Sequence, residues 1–183
     1  MSDFKIGVIG KGFVGSAVSF GFSANVGVDY EIRIFDVDPQ KSSHSLEETV
    51  NDSDFVFISV PTPANSSGEI DLSILDKCLA QINGCIVDNN TIFLIRSTVV
   101  PGSSRYFQQR YPNLKIVFNP EFLTERSANF DFISQTRYVL GGDAKDTGKV
   151  ADMYRNRFGK NISIIETSFE SAELIKYMCN TYF

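Results

Sequence analysis

Gly10, Gly12 and Gly15 stand at the spacing G-x-G-x-x-G, directly after an apolar run that ends at Ile9. In such a pattern the first glycine allows a tight turn, the second lets backbone approach a pyrophosphate, and the third lets helix and strand pack closely. The helix that follows opens with Phe13 and Val14. Its first turn offers unpaired amides and a partial positive charge to phosphates. Asp36 closes a second apolar run, 21 residues after Gly15. A carboxylate there accepts hydrogen bonds from ribose hydroxyls and repels a 2′-phosphate, so the two features together predict NAD rather than NADP. The plain alternative is a glycine turn with no ligand.

Four further groups carry chemistry. Thr62 sits in Ser59-Val60-Pro61-Thr62-Pro63, with a hydroxyl at the expected cofactor edge or simply in a proline-stiffened loop. Ser97 and Thr98 open Ser97-Thr98-Val99-Val100-Pro101-Gly102, where either hydroxyl can cap the next helix or touch nicotinamide or substrate. Glu121 and Glu125 are four apart and share a face if their segment is helical. Paired carboxylates can hold and activate a water; the alternative is a solvated acidic turn paired with Arg126. Lys176 and Asn180 are also four apart. An ammonium beside an amide stabilises an oxyanion in a closed site, or the two form a solvent-facing pair on an amphipathic helix.

The elements that must position these groups follow from apolar periodicity. Short runs rich in Ile, Val and Phe predict strands at 4–9, 31–35, 54–60, 91–96, 115–118, 137–141 and 162–165. Helices are predicted over 13–23, 40–50, 71–82, 102–110, 144–158 and 168–182. The alternation implies right-handed crossovers and an α/β fold: a doubly wound, mostly parallel sheet of Rossmann type, ending in the start of a long helix. The two proline loops then fall at the carboxyl edge of the sheet, where such folds bind ligands. On the last helix Leu174, Tyr177, Met178 and Tyr182 form an apolar stripe, weakened by Thr181. Lys176 and Asn180 lie roughly opposite it. That helix carries no stop signal before Phe183 and reads as cut through.

Composition sets limits. A net charge of −5 argues against a nucleic-acid surface. No apolar run reaches membrane-spanning length and no signal-peptide pattern is present, so no membrane partner is expected and the cytoplasm is the default compartment. Cys78, Cys85 and Cys179 fit no zinc spacing, so no metal is expected and the three read as reduced thiols. His44 is the single histidine and sits in a polar stretch, reading as solvated; a Ser-His-Asp hydrolase is disfavoured.

Taken in order, GKGFVG, FDVDPQK, SVPTP, STVVPG, NPEFLTE, RYVLGG and AELIKYMCN resemble the UDP-glucose and GDP-mannose dehydrogenases, across residues 5–180. The resemblance implies oxidation of a nucleotide sugar's C6 alcohol to a carboxylate with two NAD reduced, in polysaccharide biosynthesis. It implies that Asp36 and Lys41 contact the adenosine ribose and that Thr62 contacts the cofactor. It implies that Thr98 and Glu125 position a water near the nicotinamide, with Glu121 in the same cluster. It gives Lys176 and Asn180 the role of stabilising oxyanions. Arg126 stands where the family usually has glycine. The family's nucleophilic cysteine lies in a glycine-rich segment absent here, and neither Cys78, Cys85 nor Cys179 matches its motif. The resemblance therefore predicts an NAD-binding domain at 1–166 and the first turns of a connecting helix at 167–183, without the central and sugar-nucleotide domains. Such a chain should bind NAD but not complete the four-electron oxidation, and a homodimer through the last helix is expected.

Two other readings stay open. One is a two-electron dehydrogenase of the hydroxyacid or 6-phosphogluconate type, which needs no cysteine. The other is a non-catalytic NAD-binding or interaction module, which an exposed apolar stripe on the last helix would favour.

Overall fold

The computed structural model describes residues 4–87 and 90–182, without the side chains of 180–182. Seven strands, β1 (Ile6–Ile9), β2 (Ile32–Phe35), β3 (Phe55–Ile58), β4 (Ile92–Ile95), β5 (Lys115–Phe118), β6 (Arg137–Gly142) and β7 (Ser163–Thr167), form one sheet. Their order is β2-β1-β3-β4-β5-β6-β7. Seven helices accompany them: α1 (Phe13–Gly21), α2 (Leu46–Asn51), α3 (Ser73–Cys85), α4 (Ser103–Arg110), α5 (Ala128–Ser134), α6 (Ala144–Phe158) and α7 (Phe169–Tyr182).

The central strands β1, β3 and β4 are buried at every position. Helices cover both faces, which is why these strands are continuous apolar runs rather than alternating ones. Val56, Ile58, Phe93 and Ile95 pack under α2, α3, α4 and α7. Val8, Phe57, Leu94 and Val117 pack under α1, α5 and α6. Each fully buried side chain of this size is worth about 1.5–3 kcal/mol. The chain changes face between β1 and β3. Carboxyl ends that diverge at such a point leave a crevice, and the glycine turn and both proline loops open onto it.

Three local expectations change. Residues 40–45 are a turn rather than helix. Asp36 and Asp38 accept from the amides of Asp38 and Gln40, and Ser42 bonds the backbone of Asp36, so side chains satisfy the backbone and hold it out of helix. Helix α2 starts only at Leu46, under a capping box formed by Ser45 and Glu48. The one antiparallel pairing between these strands is β5–β6, through Val117–Gly142 and Phe118–Gly141, so β6 and its parallel neighbour β7 run opposite to the other five strands. The segment between β5 and β6 forms a 3-10 turn (Glu125–Ser127) and the unanticipated helix α5, which packs on α1. A seven-residue helix spans only ~10 Å. It does not return the chain to the amino edge, so β6 enters from the carboxyl edge.

Strand β7 runs to Thr167, and α7 packs on β5, β6 and α4.

Candidate functional site

Strand β1 runs into the glycine turn. Gly10 adopts a positive φ of 88°, and a Cβ there would meet the Ser59 carbonyl oxygen at 2.7 Å. A Cβ at Gly15 would meet the Gly10 carbonyl oxygen at 2.0 Å, so α1 crosses the turn too closely for any side chain. Gly12, the N-cap of α1, is different: a Cβ there would meet nothing within 4 Å. Among the described residues no group accounts for its missing side chain, whereas a ligand lying on the turn would. The N-cap supplies no side-chain acceptor, so the first-turn amides remain available.

Asp36 stands at the tip of β2 beside this turn. Its Oδ2 accepts from the Lys11 amide at 2.6 Å and its Oδ1 from the Asp38 amide at 2.9 Å. These bonds aim the carboxylate into the crevice. It lines a cavity of about 450 Å³ with Gly10, Gly12, Lys41, Ile74 and Cys78. Lys41 is exposed and lies 3.9 Å from Asp38. Burial pushes the Cys78 thiol up to about 12, so this sulfur stays protonated at neutral pH.

A second cavity of about 260 Å³ lies toward β4, lined by Gly12, Phe13, Val14, Thr62, Ser97 and Glu121 among others. Gly12 and Ser59–Pro61 border both cavities, which therefore adjoin along the glycine turn and the first proline loop. Thr62 Oγ1 donates to the Thr98 carbonyl at 2.7 Å, and Ser97 Oγ donates to the Val60 carbonyl at 2.6 Å. The two proline loops are thereby tied together.

Helix α7 supplies the cation. Lys176 is only 4% exposed; its ammonium donates to the Glu121 carbonyl and, at 3.2 Å, to Glu121 Oε1. Glu121 Oε2 accepts from the Leu123 amide at 2.7 Å. One turn earlier, Glu173 is fully buried and accepts from the amides of Gly102 at 2.6 Å and Ser104 at 2.8 Å. Glu173 therefore caps α4, a role the sequence had offered to Ser97 or Thr98. Those hydroxyls do not reach it: Ser97 is engaged with Val60, and α4 has no cap from its own N-cap residue.

With this geometry in place, the comparisons with known proteins decide the family. Residues 39–158, about two thirds of the chain, match the profile described as UDP-glucose/GDP-mannose dehydrogenase family, NAD binding domain. The chain belongs to the UDP-glucose/GDP-mannose dehydrogenase family. It is 31% identical to a UDP-glucose 6-dehydrogenase of Rickettsia bellii, over 78% of this chain and 34% of that enzyme. It superposes on a UDP-glucose dehydrogenase from Pyrobaculum islandicum with a TM-score of 0.82 at 24% identity, over 99% of this chain and 50% of that one. A GDP-mannose dehydrogenase from Pseudomonas aeruginosa, solved as a ternary complex, gives 0.80 at 27% identity, over 97% and 49%. The chain thus spans about half the length of these structures and a third of that curated relative.

NAD is the cofactor of this family's domain, and the residues present fit it. The open space over Gly12 and the uncapped first turn of α1 suit a diphosphate, and the carboxylate of Asp36 faces the same crevice. Among the described residues no group of three His, Cys, Asp or Glu side chains can hold a metal, and no helix is long and apolar enough to cross a membrane.

The expected site residues fall in three places. Gly10, Gly12, Phe13, Val14, Asp36, Lys41 and Thr62 border the cleft, and Gly15 packs beneath it. Glu121 and Lys176 are joined at its β5 side. Thr98 is half-buried, with its carbonyl on Thr62. Glu125 sits apart: it is exposed on its 3-10 turn and lines a separate hollow with Phe13, Ser16 and Arg126. Residues 119–124 are not helical, so Glu121 and Glu125 do not share a helix face. Arg126 is exposed and forms no ion pair among the described residues. The Asn180 side chain lies outside the described residues. His44 is half-buried, with Nδ1 at 2.8 Å from Ser43 Oγ.

Sequence reasoning missed Glu173 and Arg96. Arg96 continues the face of β4 that carries Ile92 and Leu94, is 1% exposed, and donates from Nη1 to Asn119 Oδ1 at 2.7 Å. Its one signal was a cation closing an otherwise apolar run.

Proposed function

We propose that this chain is the cofactor-binding part of a dehydrogenase that oxidises the C6 alcohol of a nucleotide sugar. The observation that carries the reading is the buried Lys176 ammonium, held on Glu121 at the carboxyl edge of the sheet beside the cavity that Thr62 and Ser97 line. When bound, NAD supplies the hydride acceptor.

The chain's own groups do the rest. The amides opening α1 hold the diphosphate, and Asp36 accepts from the adenosine ribose. Lys176 is already desolvated and fixed, so it stabilises negative charge on a substrate oxygen without reorganising. Asn180, one turn further on, adds an amide donor to that role. Thr98, Glu121 and Glu125 are assigned to water positioning through the family resemblance. No described cysteine matches the family's nucleophile, so the 183 residues alone should bind NAD without completing a four-electron oxidation. The remainder of the reading is a cytoplasmic setting and a homodimer formed through α7.

Calorimetry with NAD and NADP tests the cofactor half. Wild type should bind NAD more tightly than NADP, and Asp36→Ala should lose most of that affinity. A wild type that binds neither would overturn the reading. Steady-state NADH production from UDP-glucose by the 183 residues alone would refute the incompetence argument.

A further inference from the structure

Arg96 carries its charge into the interior without an anion to meet it. Its Nη1 donates to Asn119 Oδ1 at 2.7 Å and lies 3.5 Å from the Tyr154 hydroxyl, and its Cζ lies 5.8 Å from the centre of the Phe132 ring. Nε and Nη2 are buried with no hydrogen-bond partner among the described residues. None of the ion pairs among those residues includes Arg96. A guanidinium stays charged wherever it sits, and a charge taken out of water is costly unless it is paired. One amide oxygen and a ring face offset that cost only in part. Nor does Asn119 depend on Arg96, because the Tyr154 hydroxyl donates to the same Oδ1 at 2.5 Å. Packing alone thus gives no reason for an arginine here.

Its place in the fold supplies one. Arg96 forms part of the wall of the smaller cavity, together with Gly12, Phe13 and Val14 at the start of α1. Glu121 is the other charged residue on that wall, and Lys176 already neutralises it. The unpaired guanidinium and the partial positive charge of the α1 amino end leave the cavity net positive. Because the two unpartnered nitrogens are sealed off, Arg96 acts on a ligand through its field and not by a hydrogen bond. In low-dielectric surroundings that field is strong and little screened by salt. We propose that Arg96 is a buried counter-charge for the diphosphate of the bound nucleotide. The free chain gives up stability to hold this cation, and the ligand completes the charge balance. This rests on the NAD reading above and deepens it.

The test joins thermal unfolding of the free 183-residue chain to calorimetric titration with NAD, ADP and adenosine. The variants are Arg96→Met and Arg96→Gln, both neutral, and Arg96→Lys, which keeps the charge. Arg96→Met should unfold at the same temperature as wild type or higher, because an apolar side chain of similar length removes an unpaired buried charge. It should bind NAD and ADP at least about tenfold more weakly, the scale of one unit charge acting across a small cavity. Adenosine, which has no phosphate, should keep its affinity within about twofold. The ADP loss should be the same at about 0.05 and about 0.5 M salt, since a buried charge escapes screening. Arg96→Lys should stay within about threefold of wild type for ADP. Arg96→Gln, which keeps a donor for Asn119, guards against a packing fault peculiar to methionine. Both neutral variants unfolding at lower temperature, or failing to fold, would overturn the proposal, because the guanidinium would then be a net stabiliser. Unchanged ADP affinity in them, an equal loss for ADP and adenosine, or an ADP loss that vanishes at high salt would also overturn it. A wild type that binds neither NAD nor ADP is a separate result, and it removes the NAD reading itself.

Discussion

Glu173→Gln is the sharpest probe of how α7 is held against α4. The native carboxylate takes two amides at the start of α4, at 2.6 and 2.8 Å, from a position with no exposure. Glutamine keeps the shape but replaces one acceptor oxygen with NH2, which points donors at a buried N–H. An unsatisfied buried amide costs about 1–3 kcal/mol. At this chain length each kcal/mol lowers Tm by ~2–4 °C, so the expected drop is roughly 2–12 °C. The effect also carries a pH signature. Burial pushes the Glu173 carboxyl above its ordinary value, against the downward pull of the Ser104 and Gly102 donors. The folded state therefore holds that proton more tightly than the unfolded chain does. Glu173 contributes most below its ordinary value of 4.5, and that contribution declines as pH rises through its folded value. Glutamine does not titrate, so the advantage of wild type over Glu173→Gln should narrow across that interval. Scanning calorimetry of both proteins from pH 4.5 upward reads it directly. Equal Tm values at every pH, or an advantage that widens with rising pH, would refute the reasoning.

Gly12→Ala should leave urea stability within about 1 kcal/mol, since a Cβ there has open space, while weakening NAD binding by calorimetry. Gly15→Ala should instead lower stability, because its Cβ would lie 2.0 Å from a backbone oxygen. Asp36→Asn should narrow the preference for NAD over NADP by roughly 10–150-fold, the worth of one charged hydrogen bond of about 1.5–3 kcal/mol; paired titrations measure it. Lys176→Met should cost about 3–5 kcal/mol in urea unfolding, because it leaves the Glu121 carboxylate buried without its cation.

What the sequence made legible was whatever depended on near neighbours. The buried strands announce themselves as apolar runs, and β5 and α6 fall on the expected bounds, 115–118 and 144–158. The glycine turn and Asp36 were readable because their spacing is the mechanism itself. Helix α5 was not, since seven residues with two buried positions leave too short a period to see. The reversal of β6 lies in the length of its connection and not in any residue of the strand. Glu173 escaped notice because its partners lie 71 and 69 residues earlier. On its own helix it reads as one more surface acid. The capping roles offered to Ser97 and Thr98 were reasonable locally and lost to this distant carboxylate.

Helix α7 buries two charges beside Phe169 and Ala172. Glu173 and Lys176 face the interior, while Leu174 and Met178 are 51% and 53% exposed. Periodicity set Leu174, Tyr177 and Met178 on one stripe but carried no information about which face met the sheet; the usual rule buries the apolar stripe, whereas Leu174 and Met178 are exposed and Tyr177 is half-buried. Burying two opposite charges one turn apart is expensive, and each is tolerated only because the fold supplies a complete set of partners from elsewhere. For Glu173 these are the α4 amides, and for Lys176 the carbonyl and carboxylate of Glu121. Apolar side chains of similar volume would pack there without that desolvation cost, but would leave the α4 amides without this acceptor. The arrangement holds the Lys176 ammonium dry and fixed on Glu121, which lines the smaller cavity. Glu173 then fixes the rotation of α7 against α4, and with it the distance from Lys176 to the loops that carry Ser97, Thr98 and Glu121.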